Sequence, residues 1–292
     1  MTGALWAAAS GIGFGLFQSL NRRATGDIGN AYVSTFLQLL VAVVVLVIAS
    51  AATADVGLLG DASAWSLTAF ALAGIIHFLL GWTFLNLSQE RIGAARTSPL
   101  LTMTPIFGLA VAAVTLGELP RLATLGGIAV AVLGAYLLTN GDAELTLRPR
   151  DTVFGLATAL MWAVSPVLTV KGLDGLSSPL LGVTIGMVAA AAAYGVALAA
   201  SGTPVRVGEI APDALAIKLA AGVLVALSTW GRWLALDFAA VAVVLGLNLL
   251  SVPVVLLVAP LVSGRHVERV TVRIWVGSLL VALGSLFLIL ES

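Results

Sequence analysis

The 292-residue chain has no cysteine. That excludes disulfides, thiolate metal sites and cysteine nucleophiles. Charge is scarce too: 10% of residues are Asp, Glu, Lys or Arg, against about 25% in ordinary soluble domains. The 14 acids balance the 14 Lys and Arg, so the net charge is zero and nothing points to a nucleic-acid partner. The two histidines, His77 and His266, are far apart, and no metal or cofactor is expected. No Gly-rich phosphate loop is present, so nothing is built to cradle ATP. Every Asp and Glu lies at the end of an apolar run or in a link, never in the middle of a run. The leading residues Met1-Thr2-Gly3 lack the basic region of a signal peptide.

What remains is apolar: 60% of the chain is hydrophobic. It falls into ten runs, and an apolar run of about 18 or more residues can cross a bilayer as a helix. Helices are expected over 3–20, 31–51, 65–88, 92–115, 120–139, 152–170, 178–200, 213–237, 239–263 and 270–290. Breakers stand between them, including Thr25-Gly26-Asp27, the stretch from Asp55 to Ser63, Gly117 to Pro120, Gly172 to Ser178, and Gly202-Thr203-Pro204. The longest polar stretch, Asn140 to Asp151, divides five runs from five. The expected fold is an all-α membrane protein with ten transmembrane helices, multi-pass in the cell (plasma) membrane, with the lipid bilayer as its main partner.

The halves match when the first is shifted by 150 residues. Gly81 falls on Gly231, Glu118 on Glu268, Gly127 on Gly277 and Gly134 on Gly284. Two repeats are expected, 1–140 and 151–292. Each has an odd number of spans, so the second crosses the membrane upside down, an arrangement common among secondary transporters. The basic residues agree. Eleven lie on one side of the expected spans (Arg22, Arg23, Arg91, Arg96, Arg148, Arg150, Arg206, Lys218, Arg265, Arg269 and Arg273) and three on the other (Arg121, Lys171 and Arg232). Under the positive-inside rule this puts both termini outside.

Three local patterns carry a family resemblance. Leu116-Gly117-Glu118-Leu119 follows the fourth run, Gly127 and Gly134 are spaced along the fifth, and Ala159-Leu160-Met161-Trp162-Ala163 opens the sixth. With the five-plus-five repeat, the whole chain resembles the ten-helix EamA-type members of the drug/metabolite transporter superfamily. The resemblance implies a transporter, often an exporter of amino acids or small metabolites, with a central cavity between the repeats. Two features depart from it. The second acidic link reads Gly264-Arg265-His266-Val267-Glu268, and cytoplasmic termini, usual in the family, conflict with the charge count.

Candidate site residues are the polar and aromatic groups at depth. His77 sits mid-run and would bind a proton near neutral pH, which makes protons the candidate coupling ion. The alternative is a neutral histidine bonded to the backbone of a neighbouring helix. Trp82 and Asn86 share a helix face. Ser228, Thr229, Trp230, Arg232 and Trp233 form the most polar-aromatic patch, which suits either a pocket or an interfacial belt. Arg96, Ser98, Thr102, Trp162 and Asn248 complete the expected cavity lining. Pro99, Pro105, Pro166 and Pro253 are the expected hinges or kinks, and each frees a carbonyl four residues back. Gln18 and Gln38 are expected to join helices. Arg96 and Arg232 lie near helix ends and are expected to snorkel to water.

The expected function is a secondary transporter, with no catalytic residues and no enzymatic role. Because no acid lies at mid-span and both arginines are expected to reach water, the expected small-molecule substrate is a neutral or zwitterionic metabolite such as an amino acid, moved by alternating access, and the resemblance to exporters implies that it is moved outward. The alternatives are an organic-anion transporter and a structural, lipid-handling or sensory membrane protein. A membrane enzyme would need clustered acids, histidines or a serine–base pair at one depth. Oligomeric state is unreadable here.

Overall fold

The computed structural model describes residues 1–92, 97, 100–139, 149–263 and 272–290. The described residues form ten long helices: α1 Thr2–Ile28, α2 Ala31–Thr53, α3 Ala64–Ile92, α4 Thr104–Leu116, α5 Leu122–Thr139, α6 Pro149–Leu173, α7 Pro179–Ala200, α8 Pro212–Phe238, α9 in two pieces, Val241–Leu247 and Ser251–Ser263, and α10 Val272–Leu290. Five of these spans are long and apolar enough to cross a bilayer: α2, α3, α7, α8, and α6 over Thr152–Leu173. Four more are shorter apolar helices, lying within α4, α5, α9 and α10. The surface is apolar and part of the interior polar. Val114, Leu261 and Ile48 are exposed, while Gln38, His77, Lys218, Thr229 and Arg232 are buried. A chain folded against hydrocarbon has this inverted distribution, because lipid solvates apolar side chains and polar ones must find partners inside.

Local chemistry sets the helix ends. The first link was expected at Thr25-Gly26-Asp27, but α1 runs through it to Ile28. A glycine inside a helix costs only about 1 kcal/mol, whereas the cap pair that follows is decisive. Gly29 takes the left-handed conformation (φ 73°) and its N–H bonds Thr25 O. Asn30 then accepts from Tyr32 and Val33 N–H to open α2.

Two helices depart from α geometry. In α3, residues Ile75–Gly81 form a π-helical segment. In α9, Asn248–Leu250 form a 3-10 turn. The second follows from Pro253, which has no N–H for the carbonyl of Leu249. Pro166 lies inside α6, which stays helical through it. Pro105 stands in the first turn of α4, where its missing N–H breaks no hydrogen bond, so it starts the helix. Pro99 lies outside the described residues, as do Arg96 and Ser98.

The helix packing is reciprocal between the halves. α1 packs along α8 and α6 along α3; α1 packs on α9 and α6 on α4; α2 meets α8 and α7 meets α3; α2 pairs with α7 and α5 with α10. At the α5–α10 crossing the backbones touch. A Cβ on Gly134 would lie 2.7 Å from Gly277 O, and a Cβ on Gly284 would lie 2.7 Å from Gly127 O. These are the glycines that the 150-residue shift superimposes.

Candidate functional site

An aromatic column built from α1, α3 and α8 fills the centre of the fold. Phe17 stacks on Trp82 (6.0 Å), Phe78 meets Trp82 edge-on (5.0 Å), and Phe70 stacks on Trp233 (5.5 Å). Inside it lies one polar cluster. His77, in the π-helical segment of α3, is 3% exposed. Its ring stacks on Trp162 of α6 at 5.6 Å. Trp162 Nε1 donates to the His77 carbonyl at 3.3 Å. This carbonyl lies in a π-helical stretch, where regular α-helical pairing is disturbed.

Both imidazole nitrogens are engaged. Nδ1 is 2.9 Å from Ser165 Oγ of α6, and Nε2 is 3.2 Å from Arg232 Nη2 of α8. A guanidinium can only donate, so Nε2 accepts, and the ring proton sits on Nδ1 and is donated to Ser165. His77 therefore holds side chains of two neighbouring helices, where a backbone partner was the bland expectation.

Arg232 overturns its expectation. It was expected to reach water because it lies six residues from the end of α8, yet it is 5% exposed. The reason is direction. Helical side chains lean toward the helix N-terminus, so an arginine near a C-terminal end is aimed into the membrane. Its guanidinium lies 5.1 Å over the ring of Phe14, near the middle of α1. With Arg232 buried, the argument for a strictly neutral substrate loses its premise.

A second buried cation, Lys218 of α8, was counted with the link charges. It is 1% exposed and its Nζ bonds Asn21 Oδ1 of α1 and Gln38 Oε1 of α2. Gln38 thus joins helices as expected, while Gln18 is exposed. Among the described residues the ion pair is Arg206–Glu209 (3.2 Å), at the surface, so neither buried cation faces a carboxylate there.

The other expected residues are dispersed. Asn86 is buried one turn beyond Trp82 and donates to Thr35 Oγ1 of α2 at 3.5 Å, away from His77. Thr102 is buried in the turn before α4. Trp230 is half-buried at the edge of the aromatic core. Trp233 is buried against Phe70, beside Gly186 of α7. Asn248 lies in the turn of α9, against Gly11 of α1, with its Oδ1 buried and without a partner among the described residues. The polar cluster thus draws on α3, α6 and α8 with a ring from α1. Ser165 and Phe14 escaped the sequence reading. Ser165 stands three residues after Trp162, on the same helix face, and that spacing was the available signal.

The acidic link has a structural role. α4 ends at Gly117 (φ 70°), and Glu118 Oε2 then accepts from Val241 N–H, at the start of α9, at 3.0 Å. Burial pushes its carboxyl up from the ordinary range, and the Val241 N–H partly holds it down. A cavity of about 310 Å³ opens beside it, lined by Leu109, Ala112, Glu118, Arg121, Thr124 and Val243 among others. Its repeat mate Glu268 lies outside the described residues.

No curated protein matches the chain by sequence. Twenty-eight chains of solved structures match it. One, described as a crystal structure of a protein, superposes with a TM-score of 0.73 over 98% of this chain and 96% of its own, at 18% identity. At that identity the likeness concerns the fold alone. The model of the EamA-like transporter family matches residues 1–140. Residues 1–140 thus match a family of the drug/metabolite transporter superfamily, and the chain is an integral membrane protein with several apolar helices.

Proposed function

We propose that the protein is a secondary transporter that moves a small organic solute outward across the plasma membrane by alternating access. The observation that carries this reading is the bond between Arg232 and His77. It places an arginine and an imidazole in the interior, between a helix of one half and a helix of the other, where burial of ionisable groups is costly and usually functional. A purely structural or lipid-handling bundle has no use for such a pair.

The architecture we propose is ten spans in two inverted repeats, 1–140 and 151–292. Its support is the reciprocal packing, α1 on α8 with α6 on α3, and the glycine contacts at the α5–α10 crossing. Transporters with inverted repeats bind their substrates near the membrane midplane, where the repeats meet. The proposed site lining is His77, Ser165, Trp162 and Arg232, with the Phe14 ring below the guanidinium. No catalytic residue is proposed, in keeping with a family of transporters.

Protons are the proposed coupling ion. A proton arriving at His77 Nε2 takes away the lone pair that receives the Arg232 hydrogen bond. Proton binding and the Arg232 contact then exclude one another, which gives the site two discrete states. The test is flux in proteoliposomes with a panel of radiolabelled metabolites. Saturable counterflow of one of them, lost in a His77→Ala Arg232→Gln double variant, is expected. A panel without any counterflow would remove the reading.

A further inference from the structure

Thr229 and Arg232 are three residues apart on α8 and share a face. Thr229 is fully buried and Arg232 nearly so. Two of their polar atoms, Thr229 Oγ1 and Arg232 Nε, have no hydrogen-bond partner among the described residues. Buried polar atoms are almost always bonded, and an exception asks for an explanation. A guanidinium carries five N–H donors and no acceptor. His77 takes one of them, and among the described residues no carboxylate pairs with the charge. The unmet demand is thus for acceptor atoms bearing negative charge, offered to a charged N–H and a hydroxyl one helical turn apart.

A carboxylate meets that demand. One oxygen can accept from Arg232 Nε–H and the other from the Thr229 hydroxyl, and charge-assisted bonds of this kind are the strong ones. A single guanidinium balances a single negative charge. We propose that the Thr229–Arg232 face of α8 is a carboxylate-binding subsite, and that the transported solute is a small monocarboxylate, either an organic acid or an amino-acid-like zwitterion. The word transported rests on the function proposed above; the binding claim stands without it. His77 would be a positioning residue for this subsite, because it fixes the far side of the guanidinium.

The test compares acids with their primary amides: L-phenylalanine, L-alanine, lactate and benzoate, each against the matching amide. Thermal stabilisation of the purified protein reads binding, and proteoliposome counterflow reads transport. At least one acid is expected to stabilise the wild type, with its amide weaker by more than about tenfold. Thr229→Val is expected to weaken that acid by about threefold to tenfold, the scale of one hydrogen bond to a charged group, with the unliganded melting temperature kept. Arg232→Gln is expected to erase the preference for acid over amide. If Arg232→Gln does not fold, the acid–amide comparison in the wild type and the Thr229→Val affinity still decide. Amides that bind as well as acids, an unchanged Thr229→Val affinity, no stabilisation by any of the four acids, or full competition by chloride would each overturn the subsite. Acid-specific stabilisation without counterflow would keep the subsite and remove the transporter reading. Counterflow of amides and acids alike would do the reverse.

Discussion

Arg232 Nη2 stands 3.2 Å from His77 Nε2, across 155 residues of sequence and between helices α8 and α3. Each side chain explains the other's burial. The arginine supplies a donor to a nitrogen that would otherwise be orphaned, and the imidazole supplies an acceptor to a buried cation without a carboxylate partner. The contact also couples the halves, so any motion of one against the other must break or rebuild it.

His77→Ala is expected to abolish uphill flux driven by a pH gradient while leaving counterflow exchange. Parallel measurement of the two fluxes in proteoliposomes checks this. If both fall together, His77 serves only to position Arg232 and carries no coupling proton.

The pair should also trade stability against function. Replacing both partners, His77→Leu with Arg232→Met, removes the buried charge and leaves no orphaned nitrogen, so the melting temperature should stay level or rise, by about 1–4 kcal/mol in stability at most, as replaced buried ion sites have done. Transport by the double variant should be lost. His77→Ala leaves the guanidinium without its acceptor and should cost about 1–3 kcal/mol. Thermal unfolding of both variants in one detergent gives the comparison.

Glu118 makes a pH-dependent contribution at the edge of the bundle. Its folded-state carboxyl is raised above the ordinary value, chiefly by burial. The native state then holds the proton more tightly than the unfolded state. The corresponding stability is present below the ordinary carboxyl range and is lost as pH rises through the raised value. Glu118→Gln keeps an acceptor for Val241 N–H without the charge and should flatten this dependence. Glu118→Ala leaves the start of α9 uncapped and should cost about 1 kcal/mol at any pH. Melting curves from pH 4 upward separate the two variants.

The α5–α10 crossing predicts matched effects at repeat mates. Gly134→Ala and Gly284→Ala each push a methyl into opposing backbone and should destabilise to a similar degree, by about 1–3 kcal/mol. Gly126→Ala, with nothing within 4 Å of its Cβ, should be neutral or stabilising by up to about 1 kcal/mol, the helix-propensity gain. Unequal losses at Gly134 and Gly284 would count against the proposed repeat symmetry.

With the buried Lys218 and Arg232 set aside, the Lys and Arg distribution falls from eleven against three to ten against two, and it still predicts an exterior C-terminus and a cytoplasmic link between α5 and α6. Reporter fusions at both places check it. The opposite result would place the family habit above the charge count and leave every contact described here unchanged.

Much of the fold was legible along the chain. Among the described residues the ten runs became ten long helices, most with ends close to those expected, because hydropathy and run length are local and need no tertiary information; α1 runs on to Ile28 where 20 was expected, and α4 begins at Thr104 where 92 was. The period-150 glycines were also local, and their meeting at one crossing follows from the need for small residues where backbones touch. The first link was misplaced because Gly26 stood out more than the cap pair Gly29–Asn30, although only the cap geometry ends a helix.

The candidate site was legible only in part. His77, Trp162 and Thr229 could be named from residue type and depth. What each would touch could not, since Ser165 and Arg232 lie 88 and 155 residues from His77. The fate of Arg232 is the clearest case. The order of residues fixes its position along α8, and distance to the nearest helix end pointed to water. That the guanidinium stays inside follows from the packing of distant helices. The lean of the side chain aims it at the bilayer centre, and Phe14 and His77, brought there by α1 and α3, supply the π face and the acceptor that hold it.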